Sequence, residues 1–368
     1  MPEYNPHNER IKRQYFLHLK EAIQQTEATV DQVAKALARF EADTKYRDFK
    51  AFRPEAAVAF KRHLAGEVSK ASGKALSKAT LYSTLTNLKR FFRWLAREPG
   101  YRSRLRYADA EYFNLSDNET RVATARRERP VPTLEQVRHV IATMPARSDV
   151  EMRDRALVAF TLLTGARDSA IASMKLKHVD LVDQKVNQDA REVNTKNSKT
   201  FQTFFFPVGE DVHRIVADWM QFLRAERLWG NDDPLFPATE TIVGAERQFK
   251  AGGLKRAHWR TAGPIRGIFR RAFESAGLPY FNPHSLRSTL VRLGEQQCRT
   301  PEDFKSWSQN LGHEGVLTTF TSYGAVSSGR QREIIRGLDK RPAEGPLSAN
   351  EFAKAVAREL RAEGHGAA

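Results

Sequence analysis

Apolar residues return every third or fourth position through most of the chain, the spacing of one buried helix face. Leu81, Leu85, Leu88, Phe91, Phe92 and Leu95 form the clearest stripe and predict a helix over 77–97. Upstream, Ile11, Tyr15, Phe16, Leu19 and Ile23 mark a helical stretch over 9–28, and Val30, Val33, Ala34 and Leu37 extend the pattern over 29–39. Pro54 suits a first helical turn and opens a further helix over 55–68. Residues 1–116 therefore read as a helical domain. The run N-E-T-R-V-A-T-A-R-R-E-R-P-V-P-T then loses periodicity and gains charge, which predicts an extended linker over 117–132.

Thr133 and Gln136 match a capping box and mark the first helix of a second domain, 133–330. Ala156, Leu157, Phe160 and Leu163 predict a buried helix over 149–164, stopped by Gly165, with another over 168–176. Strand-like segments follow at 179–182, 191–195 and 200–207, with Lys196 to Lys199 as a polar hairpin tip between the last two. Val212, Ile215, Val216, Trp219, Phe222 and Leu223 give an amphipathic helix, and Ile265, Ile268, Phe269 and Phe273 another. Thr300 caps a helix with Pro301 at its first position, expected to end at Gly312 and expose His313. A Pro/Gly-marked break at 341–346 precedes a last amphipathic helix carrying Phe352, Val356 and Leu360, within a tail at 331–368. The fold class expected is mainly α with a small antiparallel β-sheet.

Composition narrows the partners. At 368 residues with 40% apolar content, two domains are the default, and no window approaches twenty consecutive apolar residues. The N-terminus lacks a signal pattern, and Cys298 is the only cysteine, so a reducing cytoplasm is expected and an intrachain disulfide is excluded. Sixty Lys and Arg against 44 Asp and Glu give a formal charge of +16, which favours a polyanion, nucleic acid ahead of membrane. The candidate contact residues are Lys89, Arg90 and Arg93 on the polar face of 77–97, and Lys255, Arg256 and Arg260 in the base-dense stretch 249–271.

The candidate chemistry gathers in P-H-S-L-R (Pro283 to Arg287), N-L-G-H (Asn310 to His313) and T-T-F-T-S-Y-G (Thr318 to Gly324), with T-G-A-R (Thr164 to Arg167) far upstream. A lone histidine or tyrosine is usually structural; it is the combination that points to function. Guanidinium forks match phosphate oxygens, imidazoles donate hydrogen bonds or move protons near neutral pH, and a phenol can be a nucleophile. A phosphodiester substrate fits this set.

In order and rough spacing, T-G-A-R167, T-K196-N-S-K199, H284-S-L-R287, L-G-H313 and T-T-F-T-S-Y323 resemble the tyrosine recombinases, the phage-integrase type of site-specific recombinase. The resemblance implies a helical core-binding domain and an α+β catalytic domain forming a C-shaped clamp on double-stranded DNA. Tyr323 would be the nucleophile, giving a 3′-phosphotyrosyl link. Arg167 and Arg287 would clamp the non-bridging oxygens, and Lys196 would protonate the 5′-oxygen, with Lys199 as its rival. His284 would assist proton transfer and His313 would donate a hydrogen bond. No metal, ATP or other cofactor is expected. A homotetramer on paired sites is implied, with accessory DNA-bending proteins a further expectation. Three features depart from the family pattern: Ala170 stands where an acid is common, and the gaps from His313 to Tyr323 and from Arg167 to Lys196 are long. An integrase or recombinase of a mobile element leads. A type IB topoisomerase-like activity and a non-catalytic DNA-binding regulator are the alternatives.

Overall fold

Asn5 caps the first helix, α1 (Pro6–Leu17), by accepting from the backbone N–H groups of His7 and Asn8. This computed structural model describes residues 4–68, 73–125, 130–243 and 248–313. The chain divides into two compact units, Met1–Arg126 and Arg127–Ala368.

In the first unit a π-helical turn (His18–Ala22) ends α1, and α2 (Glu27–Asp43) restarts from Thr26, whose hydroxyl accepts from Thr29. α3 (Pro54–Gly66) and α4 (Lys78–Leu95) follow. The α4 stripe is buried along its length, and each such side chain contributes about 1.5–3 kcal/mol. Phe52 and Phe92 stack at 4.1 Å between centroids, and Phe40, Phe60 and Phe113 complete the aromatic core. The stretch 117–132 departs from expectation. Its first part is helical, α5 (Asp117–Thr124), because Ser116 and Glu119 form a capping box, and α5 packs on α4 rather than running as an extended linker.

The second unit opens with α6 (Leu134–Thr143), whose Thr133–Gln136 capping box is present as expected. α7 (Asp149–Thr164) is buried on all sides from Ala156 to Thr164, so it serves as the central post of the unit. α8 (Asp168–Ile171) is one turn, shorter than the helix expected over 168–176. β1 (Val179–Asp180), β2 (Lys185–Gln188) and β3 (Phe201–Phe204) form an antiparallel sheet in that order, with Val186 opposite Thr203 and Gln188 opposite Phe201. The strand expected over 191–195 is not one: Asp189 accepts from the backbone and side chain of Arg191 and turns the chain there. β2 lies upstream instead, in K-V-N-Q, where a single valine gave no alternation to read.

After α9 (Glu210–Ala225) comes a β-hairpin that the apolar pattern did not anticipate, β4 (Ala238–Val243) with β5 (Phe249–Lys255), bulged between Glu240 and Thr241. Its base is held by Arg153, which is 2% exposed and donates to Pro237 O at 2.9 Å and Thr239 Oγ1 at 2.8 Å. α10 (Gly263–Ser275), α11 (Ser285–Gln297) and α12 (Pro301–Asn310) complete the described unit. Trp307 crosses from α12 to α11, donating to Leu290 O at 3.0 Å; a Cβ on Gly294 would stand 2.7 Å from its indole nitrogen. Among the described residues no helix is long and apolar enough to cross a membrane. Tyr323 and the tail at 331–368 lie outside the described residues.

Candidate active site

The site starts where α7 stops. Gly165 is left-handed (φ 61°), and a Cβ there would meet Leu290 and Leu311 at 3.0 Å, so glycine answers both a conformational and a packing demand. Thr164 accepts from Ala166 N at 3.2 Å and fixes the turn. Arg167 emerges half-buried as the N-cap of α8. Beside it Asp168, which the sequence reading did not single out, pairs with Arg266 at 2.9 Å.

α11 supplies the next two groups. Asn282 accepts from Ser285 N at 3.2 Å and shapes the turn that puts His284, exposed, at the helix N-cap. Arg287 is 2% exposed and reaches back across the unit. Its Nη1 donates to Gly165 O at 2.5 Å, its Nη2 donates to Leu311 O, and the same Nη2 lies 3.1 Å from His313 Nε2. One guanidinium thus joins the T-G-A-R turn to the L-G-H turn. Because Nη2 can only donate, Nε2 of His313 accepts, and the neutral ring carries its proton on Nδ1.

His313 corrects one expectation. It is 8% exposed rather than displayed at the helix end, because Gly312 (φ 71°) turns the chain inward and Arg287 meets the ring. Burial, then the charges of Arg287, Arg167 and Lys199, push its imidazole down to about 3. His284 is also lowered, first by the protein packed around it, then by Arg287 and Arg167, with Lys196 adding to them and Asp168 opposing. Both rings are therefore kept neutral near pH 7 first by the protein packed around them and then by surrounding positive charge, and that charge favours an incoming anion.

Lys196 opens a tight turn, Lys196–Ser198, in the β2–β3 connection, with Asn197 (φ 59°) and Ser198 (φ 52°) left-handed, and Lys199 follows it in extended backbone. Lys196 is exposed and Lys199 half-buried. The charge of Lys196 adds to the lowering at His284 and that of Lys199 to the lowering at His313, so neither lysine is singled out over the other. Upstream, Asn194 N donates to Ser173 Oγ at 2.8 Å, and Glu192 is gripped by Lys175 at 3.0 Å and Lys177 at 2.8 Å.

The proposed contact residues fall in both units. Lys89, Arg90 and Arg93 line a cleft of about 340 Å³ in the first unit with Tyr82, Asn114 and Asp117. Glu111 pairs with Lys89 at 2.8 Å and accepts from Arg93 Nε at 2.9 Å, and these partners, Lys89 first, hold its carboxyl down at about 2. Arg256 is engaged by Asp233, while Lys255 at the end of β5 and Arg260 before α10 are exposed.

Comparison with known proteins agrees with this architecture. Residues 131–329 match the family model described as "Phage integrase family". The tyrosine recombinase XerC of Lactobacillus leichmannii is 24% identical over 254 residues, 68% of this chain and 73% of that protein. Among solved structures, the XerH site-specific recombinase bound to a palindromic difH substrate has a TM-score of 0.60 at 17% identity, covering 90% of this chain and 85% of that one. A lambda integrase dimer on a COC′ core site gives 0.57 at 15% identity, covering 87% and 96%. The Tn1549 transposon integrase with transposon right-end DNA gives 0.55 at 14% identity, covering 89% and 99%. At these identities the structural likeness speaks to the fold, while the family match spans more than half of the sequence. The chain belongs to the phage integrase family and is a tyrosine recombinase, a DNA-binding enzyme that cleaves and rejoins DNA.

Proposed function

We propose that this chain is the site-specific integrase or recombinase of a mobile element, and that Arg167, His284, Arg287, His313 and Tyr323 carry its chemistry with Lys196 or Lys199. The observation that carries this reading is the convergence, through Arg287, of the turn ending α7 and the turn following α12, with both histidines held neutral in a positive field. Tyr323 attacks the scissile phosphorus, forming the 3′-phosphotyrosyl bond as the bond to the 5′-oxygen breaks. The lysine gives its proton to that oxygen. Arg167 and Arg287 face the non-bridging oxygens, where charge grows. His284 assists proton transfer and His313 hydrogen-bonds the phosphate. Because the phosphodiester is stored on the enzyme, rejoining needs no external energy source. The catalytic domain is taken as 133–330, with 1–116 as the core-binding domain, and the cytoplasmic nucleoid as the place of action.

The substrate is sought in the inverted repeats flanking the element that encodes the chain. On a nicked suicide duplex from those repeats, the wild type accumulates a covalent protein–DNA adduct. Tyr323→Phe, which removes one hydroxyl, abolishes it and leaves the gel shift intact. Adduct formed by the Phe variant would move the nucleophile elsewhere, with Tyr280 next to test.

Recombination joins two duplexes, each with two protomers, so a homotetramer on paired sites follows, aided by accessory DNA-bending proteins. Phe352, Val356 and Leu360 give the tail an apolar stripe whose burial contributes about 1.5–3 kcal/mol per side chain before ordering costs. That biases assembly without fixing a tetramer in the absence of DNA. Light scattering on one-site and two-site DNA should show protomers pairing into tetramers only on the latter. Truncation after Arg341 should abolish that step; unchanged synapsis would mean that the helix packs on its own domain.

A further inference from the structure

β3 is one of the two edge strands of its sheet, and its outer edge is taken up by a side chain. Asn310, the last residue of α12, donates from Nδ2 to Phe204 O at 2.9 Å and accepts from Phe204 N at 2.6 Å. Its own carbonyl accepts from Thr203 Oγ1 at 3.1 Å, and Thr203 Oγ1 accepts in turn from Gln188 Nε2 on β2 at 3.1 Å. The amide of Asn310 therefore does what a peptide unit of a fourth strand would do. Only a side chain with both an N–H donor and a carbonyl acceptor can close this pair; aspartate would place a second acceptor against Phe204 O, and leucine offers neither group.

The position of this stitch matters. On one side of Phe204, β3 runs back to Lys199 and the turn of Lys196. On the other side of Asn310, the chain runs through Leu311, an acceptor of Arg287, to His313. A second contact reinforces the join: a Cβ on Gly312 would stand 2.6 Å from the Phe201 ring, so that ring lies directly against the L-G-H backbone. The lysine turn and the arginine–histidine corner share no strand or helix; the Asn310 pair is one of the links that sets their separation.

We propose that Asn310 is a positioning residue that holds the lysine turn in register with the phosphate clamp. This rests on the reading above that a lysine of the turn protonates the 5′-oxygen. In that step the phenolic oxygen bonds to phosphorus, the P–O5′ bond breaks, and the Nζ proton passes to O5′. If sulfur replaces O5′, the P–S bond breaks and the thiolate leaves without needing the proton. A misplaced donor should therefore slow only the oxygen substrate, and a displacement near 1 Å can cost about 10²-fold.

The test compares adduct formation by the full chain on the flanking-repeat suicide duplex with an ordinary or a 5′-bridging phosphorothiolate linkage. Asn310→Leu is expected to slow the ordinary substrate by about 10–100-fold and the phosphorothiolate by less than about threefold, with Asn310→Gln between it and wild type. Lys196→Ala and Lys199→Ala run in parallel. Rescue in a lysine variant but not in Asn310→Leu overturns the inference alone, since Asn310 would then act on the clamp or on the fold at large. Absence of rescue in both lysine variants overturns the reading beneath it and the inference with it. An undiminished rate for Asn310→Leu on the ordinary linkage also overturns it. If Asn310→Leu does not fold, as judged by its melting transition, Asn310→Gln carries the same comparison.

Discussion

The Arg287–His313 corner and the Lys196–Lys199 turn, proposed above to serve one site, are built in opposite ways. The corner is buried: Arg287 is 2% exposed, and its fork is satisfied by the carbonyls of Gly165 and Leu311 and by an imidazole. The turn is exposed at Lys196 and built from consecutive left-handed residues that each cost about 1–2 kcal/mol relative to ordinary backbone. The corner fixes its own geometry through local bonds. The turn takes its position from anchors on either side, at Glu192 and Asn194 before it and at Phe204 after it. On the proposed function, groups that must meet charge growing on phosphorus are set in advance, whereas the proton donor is carried on a segment that tolerates exposure.

The largest expected effect breaks the corner. Arg287→Ala should reduce adduct formation by at least about 10³-fold, the scale for a lost oxyanion-type donor. It should also destabilise the second unit by about 3 kcal/mol, because two buried carbonyls lose their partner. Lys196→Ala or Lys199→Ala, whichever is the donor, should cost about 10²–10⁴-fold in rate with a smaller fall in melting temperature than Arg287→Ala. Equal losses of stability in the arginine and lysine variants would erase the distinction. Calorimetry beside single-turnover cleavage reads both quantities.

An intermediate effect is expected at the junction of the two regions. Gly312→Ala places a Cβ 2.6 Å from Phe201 at a φ of 71°, so strain and overlap combine. A cost of about 1–3 kcal/mol is expected, with slowed cleavage of both the ordinary and the phosphorothiolate linkage, since corner and turn are displaced together. Slowing confined to the ordinary linkage would show that the corner is unmoved.

The last effect, on stability alone, is a pH dependence that sharpens the contrast. His313 titrates at about 3 in the folded chain, below the ordinary histidine value of about 6.5, so the unfolded state binds more protons between those values. Its contribution to stability is full above about 6.5 and is lost as pH falls toward 3. The urea midpoint should fall across that window, and His313→Gln should flatten the fall. An unaltered slope in the variant would assign the pH dependence to other groups. His284 contributes in the same direction.

How much of this was written in the sequence depends on the kind of signal. Gly165 as a helix stop, the Thr133 and Thr300 caps and the α4 stripe are local features, and each appears where its residues predict. The convergence of Arg167, His284, Arg287 and His313 was legible only through the resemblance, because periodicity cannot bring residues 120 or so positions apart together. The burial of His313 was missed because it depends on a guanidinium arriving from α11. β2 was missed because pairing with β3, rather than alternation of its own, makes K-V-N-Q a strand. The β4–β5 hairpin carries glycines inside its second strand, which weaken any strand pattern. α5 was read as a linker because charge density outweighed a four-residue capping signal at Ser116 and Glu119.

Glu192 and Asn194, docked before the lysine turn, and Phe204, stitched after it, separate that turn from the β1–β2 meander upstream. The tip of that meander, Val182, is 92% exposed. Length added there does not load either anchor, so this tip is a natural port for a cysteine-reactive fluorophore or a short epitope, from which strand exchange by the intact enzyme could be followed one molecule at a time.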